Sequence, residues 1–480
     1  MTDRLLPLVV DLDGTLLLTD TLHEQSLALA RQQPVQVVHL PLWLRRGKAH
    51  LKQQLADRVA LDVESLPYNG ELLDWLKAEK AQGRSLILCT AADTQVAQAI
   101  GDHLGFFDEV LASDGHTNLS ASNKAHALTQ RFGLHGFDYA GNSRDDLPVW
   151  QAARHAIVVN AVQSVAQAAQ QHGNVDKVIP ARAVQARDWR KMLRVHQWLK
   201  NLLLFVPLLA AHQFSNASAW ADVVLAFLSF SLCASAVYIG NDLLDLPSDR
   251  RHSSKRLRPF ASGNMPIVIG VHAVPLLLIG SALTGLAVGG TFLAWLAVYF
   301  ALTCAYSFKL KQLVLLDCLT LASLYSLRIV AGGAAAGLAV SHWLLAVSGF
   351  VFLSLSFLKR HAELRPLMAR EDNAVAHGRG YEAQDAPLVQ MLGIGAGYAA
   401  AVVLALYLHG ETGRALYPNS HAILLTVGVL AYWISWMWLK SHRGEMHDDP
   451  IVFAIKDKVS LACGAAFAAS LMLATLGLPW

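Results

Sequence analysis

Apolar and polar positions divide the chain near residue 190. Before it, short apolar runs of strand length, such as LPLVV at 6–10 and SLILC at 85–89, alternate with stretches of helical character. This alternation predicts a doubly wound α/β domain of Rossmann-like kind, with its site at the carboxyl ends of the strands. Residues 21–80 read as helical and predict a small cap. Residues 161–190 are rich in alanine and glutamine and read as a helix plus linker. Beyond them, apolar blocks long enough to cross a bilayer alternate with short charged loops. The blocks fall at 198–214, 220–240, 266–288, 291–307, 313–335, 342–358, 387–409, 421–439 and 456–478, predicting an all-α membrane domain of nine transmembrane helices. The expected domains are therefore 1–160, a linker at 161–190, and 191–480.

Composition agrees: 54% of the 480 residues are hydrophobic and only 16% charged, outside the range of soluble proteins. Basic residues crowd every second loop. Arg250, Arg251, Lys255, Arg256 and Arg258 follow the second block, and Lys309 and Lys311 the fourth. Lys359, Arg360, Arg365, Arg370 and Arg379 follow the sixth, and Lys440, Arg443, Lys456 and Lys458 surround the last junction. The intervening loops carry only Arg414. By the positive-inside rule the basic loops and the N-terminal domain face the cytoplasm and the C-terminus the opposite side. Asp11 and Asp13 interrupt the first apolar run, so no signal peptide is expected. The net charge of +3 is too small to suggest a nucleic-acid partner. The five cysteines lack a C-x-x-C pair and read as small buried hydrophobes.

The first apolar run ends in D-x-D-G-T, residues 11–15. It resembles the opening motif of the haloacid dehalogenase (HAD) phosphohydrolases, which implies that Asp11 attacks phosphorus and Asp13 protonates the leaving group. Further motifs follow in that family's order. Thr90 closes SLILCT, where its hydroxyl and the next amides could hold phosphate, and Lys124 in SNKAHAL matches a cationic phosphate ligand. FDYAGNSRDDLPVW resembles the acidic fourth motif, although Asn142 stands where the family usually has aspartate. The resemblance implies a magnesium ion held by Asp11, Asp13, Asn142, Asp145 and Asp146, with one charge missing at Asn142.

The second apolar block runs into YIGNDLLDLPSDRRHSSKRLRPFASG, where Asn241, Asp242, Asp245 and Asp249 recur at intervals of three and four. On a helix that spacing gathers the carboxylates on one face, where they repel unless divalent cations neutralise them. Magnesium bridging to a diphosphate accounts for them, and Lys255, Arg256 and Arg258 are placed to stabilise a departing diphosphate. This N-D-x-x-D-x-x-x-D with its basic tail resembles the first signature of the UbiA prenyltransferase superfamily over residues 190–480. LRVHQWLKN at 193–201, YSFKLKQLVLLD at 306–317, SLRIVAGG at 326–333, KRHAELR at 359–365 and RGY at 379–381 bring it nearest to the polyprenyl-phosphate phosphoribosyltransferases, the decaprenyl-phosphate enzymes among them. Many prenyltransferases carry a second D-x-x-x-D, but here Asp317 is followed four residues later by Leu321. The resemblance leaves Lys200, Tyr306, Lys311, Asp317, Arg328, Lys359, Arg360, Arg379 and Tyr381 to bind substrate phosphates. Tyr306 and Trp198 read equally as interfacial anchors.

The expected activity is transfer of 5-phosphoribose from phosphoribosyl diphosphate to a polyprenyl phosphate, with the fused domain removing the 5-phosphate of the product. Prenyl transfer to an aromatic or other small acceptor is the alternative, with the HAD domain regulatory or acting on another phosphate. A transporter or lipid-binding protein with a regulatory module is the non-enzymatic one.

Overall fold

The computed structural model describes residues 6–115, 117–368, 379–410, 417, 420–446 and 449–475. Arg370 and Arg414, counted above for topology, lie outside them. The chain divides into two compact units. One comprises residues 1–194 and 238–276, the other 195–237 and 277–480.

The first unit is built on strands β1 (Leu8–Val10), β2 (Leu86–Asp93), β3 (Glu109–Ser113), β4 (Asp138–Gly141), β5 (Ala156–Val159) and β6 (Val175–Ile179). They form one parallel sheet in the order β3-β2-β1-β4-β5-β6. Helices cover both faces, so the central strands are continuously apolar rather than alternating. Leu8, Val10, Leu86 and Leu88 pack on one face with Leu72, Leu76 and Ile100. Val9, Ile87, Cys89 and Tyr139 pack on the other with Leu128 and Trp150. Because β1 pairs with β2 on one side and β4 on the other, its carboxyl end is the sheet's switch point, where ligands of such folds bind.

The cap is smaller than expected. Helices Thr21–Gln32, Leu40–Arg45 and Lys48–Ala56 close around Leu29, Leu51, Leu55 and Val59. The helix Gly70–Ala81 instead turns Leu72 and Leu76 into the sheet core. Residues 161–179, expected as helix and linker, form the helix Gln163–Gln170 and then β6, whose NVDKVI is too polar to announce an edge strand. The unit is completed by the end of the helix Ala217–Leu244, an acidic loop with the short helix Leu246–Arg251, and the start of the helix Ile267–Val288.

The second unit is helical. Among the described residues seven helices, not nine, are long and apolar enough to cross a membrane: Ala217–Leu244, Ile267–Val288, Gly290–Phe308, Leu316–Ala336, His342–Leu367, Ala383–His409 and Lys458–Thr475. The block expected at 198–214 fails because 3₁₀ turns fill Val195–Phe205 and only Val206–Ala210 is α-helical. The block expected at 421–439 falls on the helix Ser420–His442, which is not among those seven. Small residues set the closest approaches, as is usual between helices in lipid. A Cβ on Gly332 would lie 2.1 Å from the Leu204 carbonyl oxygen, and one on Gly393 2.2 Å from the Trp438 ring.

Candidate functional sites

The turn after β1 gathers the first set of candidate residues. Asp11 continues the ladder by donating its N–H to the Ala140 carbonyl at 2.9 Å, and Gly14 (φ +75°) then lets the chain reverse. Asp11 Oδ1 accepts from Lys124 Nζ at 2.6 Å. Lys124 also donates to the Tyr139 hydroxyl at 2.9 Å, which in turn donates to Asp146 Oδ1 at 2.7 Å. Burial pushes the Asp11 carboxyl up to about 6, opposed by the Lys124 charge and assisted by Asp146. Burial also pushes Asp13 up to about 7, with Asp20 adding to the rise. Burial alone would lower Lys124, but Asp11 and Asp146 more than reverse it and keep the ammonium charged. Burial thus makes both carboxyls hold their protons to higher pH than a free aspartate does.

The other candidates divide. Asp13 accepts from the Thr21 amide at 2.8 Å and the Thr21 hydroxyl at 3.2 Å, tying the turn to the start of the cap. Asp146 Oδ2 accepts from the amides of Asn142 and Ser143 and from the Ser143 hydroxyl at 2.9–3.0 Å, so it shapes the loop. Asp145, expected at the metal, is exposed on that loop. Asn142 does reach the turn, since a Cβ on Gly14 would come within 2.1 Å of its amide nitrogen. Thr90 is buried and accepts from the Ala92 amide at 3.0 Å, but β2 runs on past it to Asp93 with a shift in register.

The acidic loop in the same unit is threaded with arginines. Arg258 Nη1 lies 3.0 Å from Asp242 Oδ1 and 2.5 Å from Asp249 Oδ2, so two carboxylates converge on one cationic nitrogen. Arg194 also donates to Asp242 and lies over the Tyr238 ring. Burial raises the Asp249 carboxyl, against the nearby Arg258. Asp245 is held at 3.4 Å by Arg31, which also donates to the Leu244 carbonyl at 3.0 Å. Arg250 turns away to the buried Glu24, at 2.5 and 3.1 Å. Lys255 and Arg256 are exposed, with Lys255 acting on Asp249 through space, and Asn241 is half-buried at the end of the membrane helix. Glu24 and Arg31 lie outside every motif, and no signal near them in the sequence marks the contact.

The second unit holds two charged clusters. In one, Asp317 and Arg360 are wholly buried. Asp317 accepts from Arg360 Nε at 2.9 Å, with Nη2 2.6 Å from the same oxygen in the ion pair, and from the Tyr381 hydroxyl at 2.6 Å. Tyr381 also accepts from the Leu315 amide at 2.8 Å, fixing a leucine with φ +64° at the start of the helix Leu316–Ala336. Asp317, Arg360 and Tyr381, expected to meet substrate phosphate, are thus joined to one another and to the start of this helix. Arg379, half-buried, reaches Tyr306 at 3.1 Å and Asp317 at 3.6 Å from the edge of this cluster. Lys311 is also half-buried. Removing one member of a buried ion pair costs about 3–5 kcal/mol. Asp317→Asn is accordingly expected to lower the thermal unfolding midpoint of the detergent-solubilised protein markedly, whereas Arg256→Gln, at an exposed position, leaves it unchanged.

The other cluster has Lys200, Lys359 and Arg328. Lys200 donates to Asp449 at 2.7 Å, and Lys359 lies 3.4 Å from the same oxygen. Arg328 donates to Asn201 and Tyr299 at 2.9 Å and shares the Tyr325 ring with Lys200. Asp449 was not among the expected residues; an aspartate before Pro450, capping the helix Pro450–Lys456 in a basic loop, is the signal that marks it. Burial alone would raise its carboxyl, but the two lysines hold it well below the ordinary range.

A parallel α/β domain with a nucleophile–acid turn and an acidic loop, in one chain with a polytopic helical domain, defines a membrane-integral enzyme of two parts. The chain belongs to the UbiA prenyltransferase family, whose model matches residues 202–471, and the haloacid dehalogenase-like hydrolase model matches residues 8–151. It is 39% identical to the uncharacterized protein y4nM of Sinorhizobium fredii over 98% of this chain and 92% of that one. It is 40% identical to nodulation protein NoeC of Azorhizobium caulinodans over 56% of this chain and 87% of that one. Decaprenyl-phosphate phosphoribosyltransferase of Corynebacterium glutamicum is 39% identical over 178 residues, 36% of this chain and 54% of its own length.

Proposed function

We propose that the membrane domain transfers 5-phosphoribose from phosphoribosyl diphosphate to a polyprenyl phosphate and releases pyrophosphate, and that the HAD-like domain then hydrolyses the 5-phosphate of the lipid product. The observation that carries this reading is the convergence of Asp242 and Asp249 on a single guanidinium nitrogen. Two carboxylate oxygens around one cation suit magnesium, which takes one or two carboxylates and completes its shell with substrate phosphate and water. Among the described residues no group of three or more His, Cys, Asp or Glu is placed to hold a metal ion. Magnesium would neutralise the diphosphate there.

Arg258 and Lys255 stabilise the leaving pyrophosphate as the bond from C1 of ribose to oxygen breaks and positive charge develops on the sugar. A polyprenyl phosphate oxygen then bonds to C1. Lys200, Lys359 and Arg328 supply three cations against the one carboxylate of Asp449, an excess suited to the acceptor phosphate. In the N-terminal domain Asp11 attacks the 5-phosphate while Asp13 gives its proton to the departing ribose oxygen. Water then hydrolyses the aspartyl-phosphate, with Asp13 taking a proton back. Asp11, through the carboxylate oxygen that Lys124 leaves, and Asn142, which reaches the same turn, would hold the magnesium of this site.

Pyrophosphate release by the purified protein tests the reading: it should depend on both phosphoribosyl diphosphate and polyprenyl phosphate, and turnover with prenyl diphosphate instead would overturn it. Under this reading the basic loops and the N-terminal domain lie together on the cytoplasmic side, which requires Val195–Ala210 and Ser420–His442 to complete two further crossings beside the seven long helices. Cysteines introduced at the exposed Ser122 and Lys255 should react with an impermeant thiol reagent only when the inner face is opened, and labelling of either from outside would contradict the topology.

A further inference from the structure

The helix Thr21–Gln32 leads into a surface that neither chemical site uses. In the turns Pro34–His39 and the helix Leu40–Arg45, Val35 is 78% exposed, Val38 69%, Leu42 53% and Leu44 50%. Val35, Val38 and Leu42 are spaced by three and four, which lines them along one side. Leu40 and Trp43 from the same stretch turn inward against the cap core, so the outward residues are left out of a core that is available to their neighbours. Charge follows the same pattern. No aspartate or glutamate occurs from Gln25 to Ala56, while Arg45, Arg46 and Lys48 directly follow the apolar residues and are exposed.

Position supplies the occupant. Arg31, in the last turn of Thr21–Gln32, donates to the carbonyl of Leu244, the last residue of a membrane-spanning helix. Four further residues reach Val35, and four extended residues span at most about 14 Å. The apolar side therefore starts within a short distance of the point where a transmembrane helix leaves the bilayer. An apolar stripe flanked by cations at that level has the composition of an element lying in the plane of the membrane, with its apolar face at the boundary of headgroups and acyl chains. Basic residues beside it favour an anionic leaflet.

We propose that residues 34–48 of the cap are a lipid-docking surface: Val35, Val38, Leu42 and Leu44 enter the membrane in which the chain is embedded, and Arg45, Arg46 and Lys48 sit among anionic headgroups. The cap is thereby held at the lipid surface by two attachments, the Arg31 and Glu24 contacts to the acidic loop and this apolar face.

The test uses the full chain in vesicles containing anionic lipid, with the half-buried Cys304 replaced by serine and a fluorophore on Val38→Cys or Leu42→Cys. Leu134→Cys, at an exposed apolar position far from the stripe in sequence, is the reference. Labels at 38 and 42 are expected to be quenched several-fold more than the label at 134 by a nitroxide carried near the lipid headgroup, and less by aqueous iodide. Replacing Arg45, Arg46 and Lys48 together by glutamine should reduce that quenching. Equal quenching at 38, 42 and 134 overturns the proposal, and so does shielding from iodide that vanishes as protein is diluted in lipid, which would assign the face to a second copy of the chain. All the substituted side chains are exposed except that of Cys304, so folding is spared, and the readout does not depend on either enzymatic activity.

Discussion

Asp242→Asn should lower transferase turnover by about 10²–10³-fold, the cost of removing a preorganised electrostatic contact from a charged transition state. Asp242 is buried and ion-paired, as Asp317 is, so the thermal unfolding midpoint of the variant is followed alongside the rate and separates lost turnover from lost stability. Asp242 accepts from both Arg194 and Arg258, and the amide would take that carboxylate charge from both, leaving Arg258 with Asp249. A loop poised to receive a dication would become a loop with excess positive charge of its own. Asp245→Asn should cost less, because Asp245 is more exposed and is held by Arg31 at 3.4 Å rather than by the arginine shared between Asp242 and Asp249. Pyrophosphate release at limiting magnesium checks both, and wild-type rates for Asp242→Asn would remove the acidic loop from the donor site.

Asp11→Asn is expected to abolish phosphate release, by about 10⁴-fold or more as for other lost nucleophiles, while phosphoribosyl transfer continues. The reason is separation of parts: Asp11 lies in the turn after β1 with Lys124 and Tyr139, and none of these touches the acidic loop's carboxylates. The phosphorylated lipid should then accumulate, because its membrane anchor keeps it at high effective concentration near the domain that can no longer process it. Lys124→Met should give the same product with a smaller loss, since Lys124 orients and balances Asp11 and does not form the covalent bond. Identical lipids from wild type and Asp11→Asn would show that the HAD-like domain acts on another phosphate.

Much of the chemistry was written locally in the sequence and much of its support was not. D-x-D-G-T declares itself because nucleophile, acid and turn glycine are neighbours, and the run from Asn241 to Arg258 does so because its acids and cations share one loop. The roles of Asp317, Arg360 and Tyr381 could not be read that way, since their pairing joins residues 43 and 64 positions apart. A basic residue at a span's end reads equally as a phosphate ligand or a brace, and only burial separates the two. Lys200 and Asp449 meet across 249 positions. The block at 198–214 reads as a span because hydropathy does not register that Val195–Phe205 winds as 3₁₀ turns. β6 was missed for the opposite reason: an edge strand has one neighbour and tolerates Asp176 and Lys177.

The most direct measurement is the mass of the lipid made by the purified full-length protein from polyprenyl phosphate, phosphoribosyl diphosphate and magnesium. The account predicts a polyprenyl phosphate carrying one ribosyl group from the wild type, and one phosphoribosyl group from Asp11→Asn. Unchanged polyprenyl phosphate, alongside a prenylated product when a prenyl diphosphate and a small acceptor are supplied, would contradict it.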